Sequence, residues 1–186
     1  VFIVEVMGHK VGWLTLYAGV AGGADIILLP EIPYDLDKVI AAIAKRNHDG
    51  KGFTILAVAE GAISKEDSLL SKKEYKQKRA KSKYPSVSYE IADRISEKIG
   101  SEVRVAVPGH TQRGGSPCPY DRVLCTRLGS AAAKAIIDED YGYMIAMING
   151  NTKRVPLADV AGKLKMVDPK SQMIKEAKRT GICFGD

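Results

Sequence analysis

Residues 104–121 read RVAVPGHTQRGGSPCPYD. Arg104 opens an alternation with Val105 and Val107 that predicts a short strand, and His110 and Arg113 follow in a glycine-containing turn. Pro117 and Pro119 then restart the chain as a helix whose first N–H groups face back toward the turn. Strand, glycine turn, helix is the repeating unit of an α/β sheet. It is also a way to hold an anion, because Gly114 and Gly115 allow close backbone approach while two guanidiniums and an imidazole supply donors. The spacing predicts that Arg104, His110 and Arg113 converge near one spot.

Working upstream, the same rhythm recurs. Residues 1–6 form a β-branched apolar run that begins without a cap or turn, as in an incomplete fragment starting at or just before a strand. Residues 12–22 have helical apolar spacing closed by Gly22-Gly23, and Ile26 to Leu29 read as a buried strand ended by Pro30. Asp35 caps a predicted helix over 36–45, and 53–58 is the next strand. A polar stretch from Glu60 to Lys83 interrupts the pattern. It resumes with a helix over 87–99, a strand over 103–107 and, past the turn, a helix over 121–137 with Val123, Leu124, Leu128, Ala131 and Ala135 inward. Asn149-Gly150-Asn151 predicts a hairpin between 143–148 and 152–155, and 170–179 a last short helix. The fold class expected is α/β, a parallel sheet flanked by helices. Two segments are expected, an α/β lobe over 1–111 and a second segment over 112–186.

Composition narrows the function classes. At 186 residues and 45% hydrophobic the chain can bury a real core, and no apolar run approaches the ~20 residues needed to cross a bilayer. Three cysteines without C-x-x-C spacing argue against a disulfide framework or a zinc site, so Cys118, Cys125 and Cys183 read as free thiols. The net charge of +6 suggests nucleic acid until it is located. Lys72 to Lys83 holds seven Lys or Arg and one Glu, so this run alone accounts for it. Without a stacking pattern of aromatics it reads as a solvated helix face or mobile flap, not a nucleic-acid site.

In an open α/β sheet, ligands sit beyond the carboxyl ends of the strands. Met7-Gly8-His9 follows the first strand, Glu60 the third, and 108–116 the fourth. A phosphorylated sugar needs a cationic cradle, for which Arg104, His110 and Arg113 are suited, and an acceptor with close backbone approach for its hydroxyls, which Glu60 and the Met7-Gly8 peptide offer. Asp121 fits a helix start, and Asp138 and Asp140 a solvated helix end, so none of the three reads as a metal ligand or base.

HxQRGGSPxxYDR at 110–122, together with VEVMGHKxGW at 4–13, closely resembles the sugar-phosphate half of the 6-phosphofructokinases. The resemblance implies a Rossmann-type three-layer fold. It implies a fructose 6-phosphate site made by Met7, Gly8, His9, Glu60, His110 and Arg113, with Arg104 reaching the 6-phosphate of a neighbouring subunit, hence a homo-oligomer, dimer or tetramer. It further implies phosphoryl transfer from ATP, or from pyrophosphate as the alternative, to O1 of fructose 6-phosphate with Mg²⁺, in a glycolytic, cytoplasmic enzyme. Two features depart from the family. His9 stands where many members have arginine, and the effector site of some bacterial members is echoed only by Asp25 and Lys51, with Asp49 at a normally basic position. The glycine loop, metal carboxylates and catalytic base are not found here, so no catalytic or metal residue is assigned and Mg²⁺ and ATP are expected to bind mainly outside this chain. From another class, a non-catalytic sugar-phosphate-binding module also fits the residues present.

Overall fold

The computed structural model describes residues 1–100 and 102–186. Five elements open the chain: β1 (Phe2–Val6), α1 (Trp13–Ala21), β2 (Ile26–Leu28), α2 (Leu36–His48) and β3 (Ile55–Ala59). Then come α3 (Lys65–Ser68), α4 (Lys72–Ala80), α5 (Val87–Ile99) and β4 (Arg104–Ala106). A 3-10 turn over Gly109–Arg113 leads to α6 (Pro119–Ile137), β5 (Tyr143–Ile148), β6 (Asn151–Pro156), α7 (Leu157–Val160) and α8 (Gln172–Arg179).

β1 to β4 make one sheet in the order β2-β3-β1-β4, with every pairing parallel. Such a sheet is covered on both faces, so its strands alternate between two cores rather than between core and water. Ile26, Leu28, Leu56 and Val58 point into one core with Val39 and Ile43 of α2 and Ile91 and Ile95 of α5. Ile27 and Ala57 point into the other with Leu16 of α1 and Ile174 and Ala177 of α8. The expected three layers are present, and each residue such as Leu56, fully buried, contributes about 1.5–3 kcal/mol.

Residues 1–112 and 166–186 form one compact unit and residues 113–165 another. The tail therefore departs from the expected second segment of 112–186. Cys183 bridges Ile26 in parallel beside β2, the Ile27 amide donating to the Cys183 carbonyl (2.9 Å) and the Cys183 amide to the Asp25 carbonyl (3.0 Å). Phe184 is buried, which fixes 166–186 to the first unit by its apolar residues. In the second unit β5 and β6 pair antiparallel around Asn149-Gly150, both at positive φ (50° and 75°). Of the α6 residues expected inward, Ala135 is buried, Leu124, Leu128 and Ala131 are half-buried, and Val123 is 61% exposed.

Candidate sugar-phosphate site

The carboxyl ends of β1 and β3 are joined by one side chain. Glu60, the residue after β3, accepts hydrogen bonds at Oε1 from the Gly8 amide (3.1 Å) and the His9 amide (2.5 Å). Its own amide donates to the Val6 carbonyl at 3.0 Å. His9 takes a left-handed backbone (φ 54°), which aims both amides at the carboxylate. Gly61 is required next to it, since a Cβ there would lie 2.1 Å from the His9 carbonyl oxygen. Glu60 thus fixes the Met7-Gly8-His9 turn and keeps Oε2 uncommitted. The solvated carboxylate that a strand end usually carries is here a tie between two loops.

The turn after β4 is anchored to the same place by a residue to which sequence reading gave no role. Gln112 accepts from the Met7 amide through Oε1 (3.3 Å) and donates through Nε2 to the Gly109 carbonyl (3.2 Å). Thr111 closes the turn by donating to the Pro108 carbonyl at 2.6 Å. His110 is exposed on this turn, and Arg113, also exposed, ends it as the first residue of the second compact unit. Within the first unit, then, Met7, Gly8, His9 and Glu60 are brought together and the His110 turn is tied to them.

Arg104 is elsewhere. It begins β4 in register with Phe2, whereas Met7 lies past the other end of β1, about 16 Å away at strand spacing. Its side chain is 67% exposed and pairs with Glu102 at 2.8 Å. The expected convergence of Arg104 with His110 in one chain is corrected by that register: Arg104 sits at the amino end of its strand and the turn residues at the carboxyl end.

A cavity of about 770 Å³ opens at the strand ends, with His9, Glu60 and Gly61 in its wall. Glu5 of β1 forms another part of it; it is 6% exposed, and its Oε2 accepts from the Ser86 hydroxyl (2.5 Å) and the Ser88 amide (3.2 Å). Lys72, Tyr75 and Arg79 of α4 also line it, so part of the basic run faces the cavity. It is an anchored helix. Ser71 and Glu74 form a reciprocal capping box, Arg79 pairs with Glu90 at 2.8 Å and Lys78 with Asp67 at 2.5 Å. The hydrogen bond from Lys78 to Asp67 holds the Lys78 ammonium above its usual range, and burial pushes the Tyr75 phenol up as well. Sequence periodicity hid α4 because the helix buries no residue, but Ser71-Lys72-Lys73-Glu74 is itself a helix-start signal.

Other candidate groups have structural work. Asp121 Oδ2 accepts from the Cys118 amide at 3.3 Å at the start of α6, and Arg154 bridges Asp138 and Asp140. Asp25, the effector-site echo, accepts from the Ile55 amide (2.8 Å) and pairs with Arg46 (2.9 Å). Among the described residues no group of three or more His, Cys, Asp or Glu side chains could hold a metal ion, and no helix is long and apolar enough to cross a membrane. All three cysteines are free.

A family model described as phosphofructokinase matches residues 1–136. The ATP-dependent 6-phosphofructokinase of Spirochaeta thermophila is 53% identical over all 186 residues, which cover 51% of that protein. That of Chloroflexus aurantiacus is 41% identical, with the whole chain covering 50% of it. The chain spans about half the length of the curated relatives it matches. Among solved structures, Pichia pastoris phosphofructokinase in the T-state superposes with a TM-score of 0.68 at 32% identity, over 85% of this chain and 16% of that one. A pyrophosphate-dependent phosphofructokinase from Marinobacter aquaeolei gives 0.75 at 20% identity over 98% of this chain and 47% of that one, a likeness of fold. With the family model running unbroken from β1 through the Glu60 tie and the HTQRGG turn into α6, this chain belongs to the phosphofructokinase family.

Proposed function

We propose that the chain supplies the acceptor site of an ATP-dependent 6-phosphofructokinase, in which the phosphoryl group of ATP passes to O1 of fructose 6-phosphate to give fructose 1,6-bisphosphate. The observation that carries this reading is the double hydrogen bond of Glu60 to the Gly8 and His9 amides at the mouth of a cavity. It leaves one carboxylate oxygen and a fixed turn available to sugar hydroxyls, and holding the acceptor in attack geometry is a large part of phosphoryl-transfer catalysis. In this reading Met7, Gly8, His9 and Glu60 meet the sugar, and His110 and Arg113 meet the 6-phosphate. Arg104, at the far end of its strand, serves the site of a neighbouring copy in a homo-oligomer.

The relatives' names favour ATP, whereas the pyrophosphate-dependent structures share the fold at 20–22% identity. We assign Mg²⁺ and ATP mainly to the part of the relatives' length that this chain does not span. The setting proposed is the cytoplasm and the reaction one of glycolysis.

Calorimetric titration of the intact protein with fructose 6-phosphate tests the reading. Arg113→Ala is expected to weaken binding by about 1.5–3 kcal/mol, the range for a hydrogen bond to a charged group. Unchanged affinity in Arg113→Ala would remove the cradle from the proposal. Unchanged affinity in Glu60→Gln as well would remove the acceptor site.

A further inference from the structure

Helix α4 turns a basic, outwardly polar face toward the cavity that Glu60 and His9 border. Its cations differ in how they are engaged. Lys78 and Arg79 are spent on Asp67 and Glu90, which fasten the helix, while Lys72 has no hydrogen-bond or ion-pair partner among the described residues. Lys10, on the turn after β1, lines the same cavity and is likewise unpaired among them. Tyr75 is half-buried in the wall, with its hydroxyl bonded to nothing among the described residues. The cavity therefore joins two kinds of uncommitted group, one carboxylate oxygen each from Glu5 (Oε1) and Glu60 (Oε2) and the donors of Lys72, Lys10 and Tyr75.

That mixture is selective. A bare inorganic anion would meet Glu5 and Glu60 at a cost in like charge, and a neutral sugar would leave two ammonium groups unused. A phosphorylated polyol satisfies both, its hydroxyls donating to the carboxylates and its phosphate accepting from the cations. We infer that α4 is a specificity-determining wall of the acceptor site, with Lys72 and Tyr75 contacting the bound sugar phosphate. This rests on the proposed function and extends it to residues outside the strand-end motifs. The capping box at Ser71 and the Arg79–Glu90 pair set the helix in place before ligand arrives, so little ordering cost falls on binding.

The test is calorimetric titration of the intact protein with fructose 6-phosphate, comparing Lys72→Met, Lys72→Arg, Tyr75→Phe and Lys76→Met. Lys72→Met should weaken binding about tenfold or more, and Tyr75→Phe about three- to tenfold. Lys72→Arg should restore most of the loss. Lys76, on the same helix but outside the cavity wall, should be silent when replaced by Met, with helix content by circular dichroism unchanged throughout. Equal losses in Lys72→Met and Lys76→Met would mean diffuse attraction by the whole run and overturn the contact. Wild-type affinity in Lys72→Met and Tyr75→Phe, with Glu60→Gln and Arg113→Ala weakened, would overturn the α4 inference alone. Wild-type affinity in all four would overturn the acceptor-site reading beneath it.

Discussion

The two compact units are stabilised by different physics. In the first, strands buried on both faces bring Ile3, Ile26, Leu56 and Ile91 into one core and Leu16, Ile27 and Phe184 into another. In the second, Ala135 is the one buried hydrophobic residue among those described, and Ile136 and Ile137 are 62% and 80% exposed. Order there comes from local geometry: the hairpin ladder, the Arg127 guanidinium on the Gly150 carbonyl (2.6 Å) and the bridge from Arg154 to Asp138 and Asp140. A unit with its own core can position a site to within hydrogen-bond distances. One with its apolar residues outward is marginal by itself, since such a surface is normally covered.

The largest test of this contrast is a pair of truncations. Leu56→Ala should cost about 2–5 kcal/mol in denaturant unfolding, because it leaves a cavity where nothing can collapse. Ile137→Ala should stay within about 0.5 kcal/mol. Comparable losses would break the contrast, since they would mean that Ile137 is packed in solution.

A smaller effect probes how tightly the first unit is specified at its strand ends. Gly61→Ala places a methyl against the His9 carbonyl, so the turn must shift. About 1–3 kcal/mol of stability should be lost, together with the proposed affinity for fructose 6-phosphate. Retained affinity would show that the Glu60 tie tolerates movement.

The smallest effect belongs to the second unit and to acid. Asp138 is held below the ordinary value of an unfolded aspartate by hydrogen bonds from Lys134 and then Arg154. A depressed carboxyl contributes stability that is present above that unfolded value and lost as pH falls through the lower folded one. Carboxyl titration by NMR should therefore place Asp138 below an ordinary aspartate, with the hairpin amides loosening in the same acid window while the β1 and β3 amides do not. An ordinary titration of Asp138 would break the assignment of the bridge as a stabilising element.

Much of the fold was legible in the sequence because the periodic signals were strong. The helix expected over 87–99 is α5 itself, and the hairpin signal at Asn149-Gly150 gives β5 and β6. Of the candidate site, Met7, Gly8, His9 and Glu60 could be read from their place after strands, since parallel strands bring their carboxyl ends to one side. The remainder was hidden for separate reasons. Arg104 looked convergent because sequence distance to His110 is short, yet a strand extends it away. Gln112 acts through a backbone amide 105 positions earlier in sequence, a contact that no local pattern encodes. Helix α4 buries nothing, so hydrophobic spacing could not find it, and its relevance to the cavity depends on tertiary placement.

The parallel bridge from Ile26 to Cys183 has a consequence in time. A ribosome releases the chain in order, so the place beside β2 stays unfilled until Arg113 to Lys165 have been made, roughly 3–10 s at ordinary synthesis rates. Throughout that interval Leu16 and Ile27 lack their cover from Ile174 and Phe184. The nascent lobe must wait with an open flank for residues 166–186.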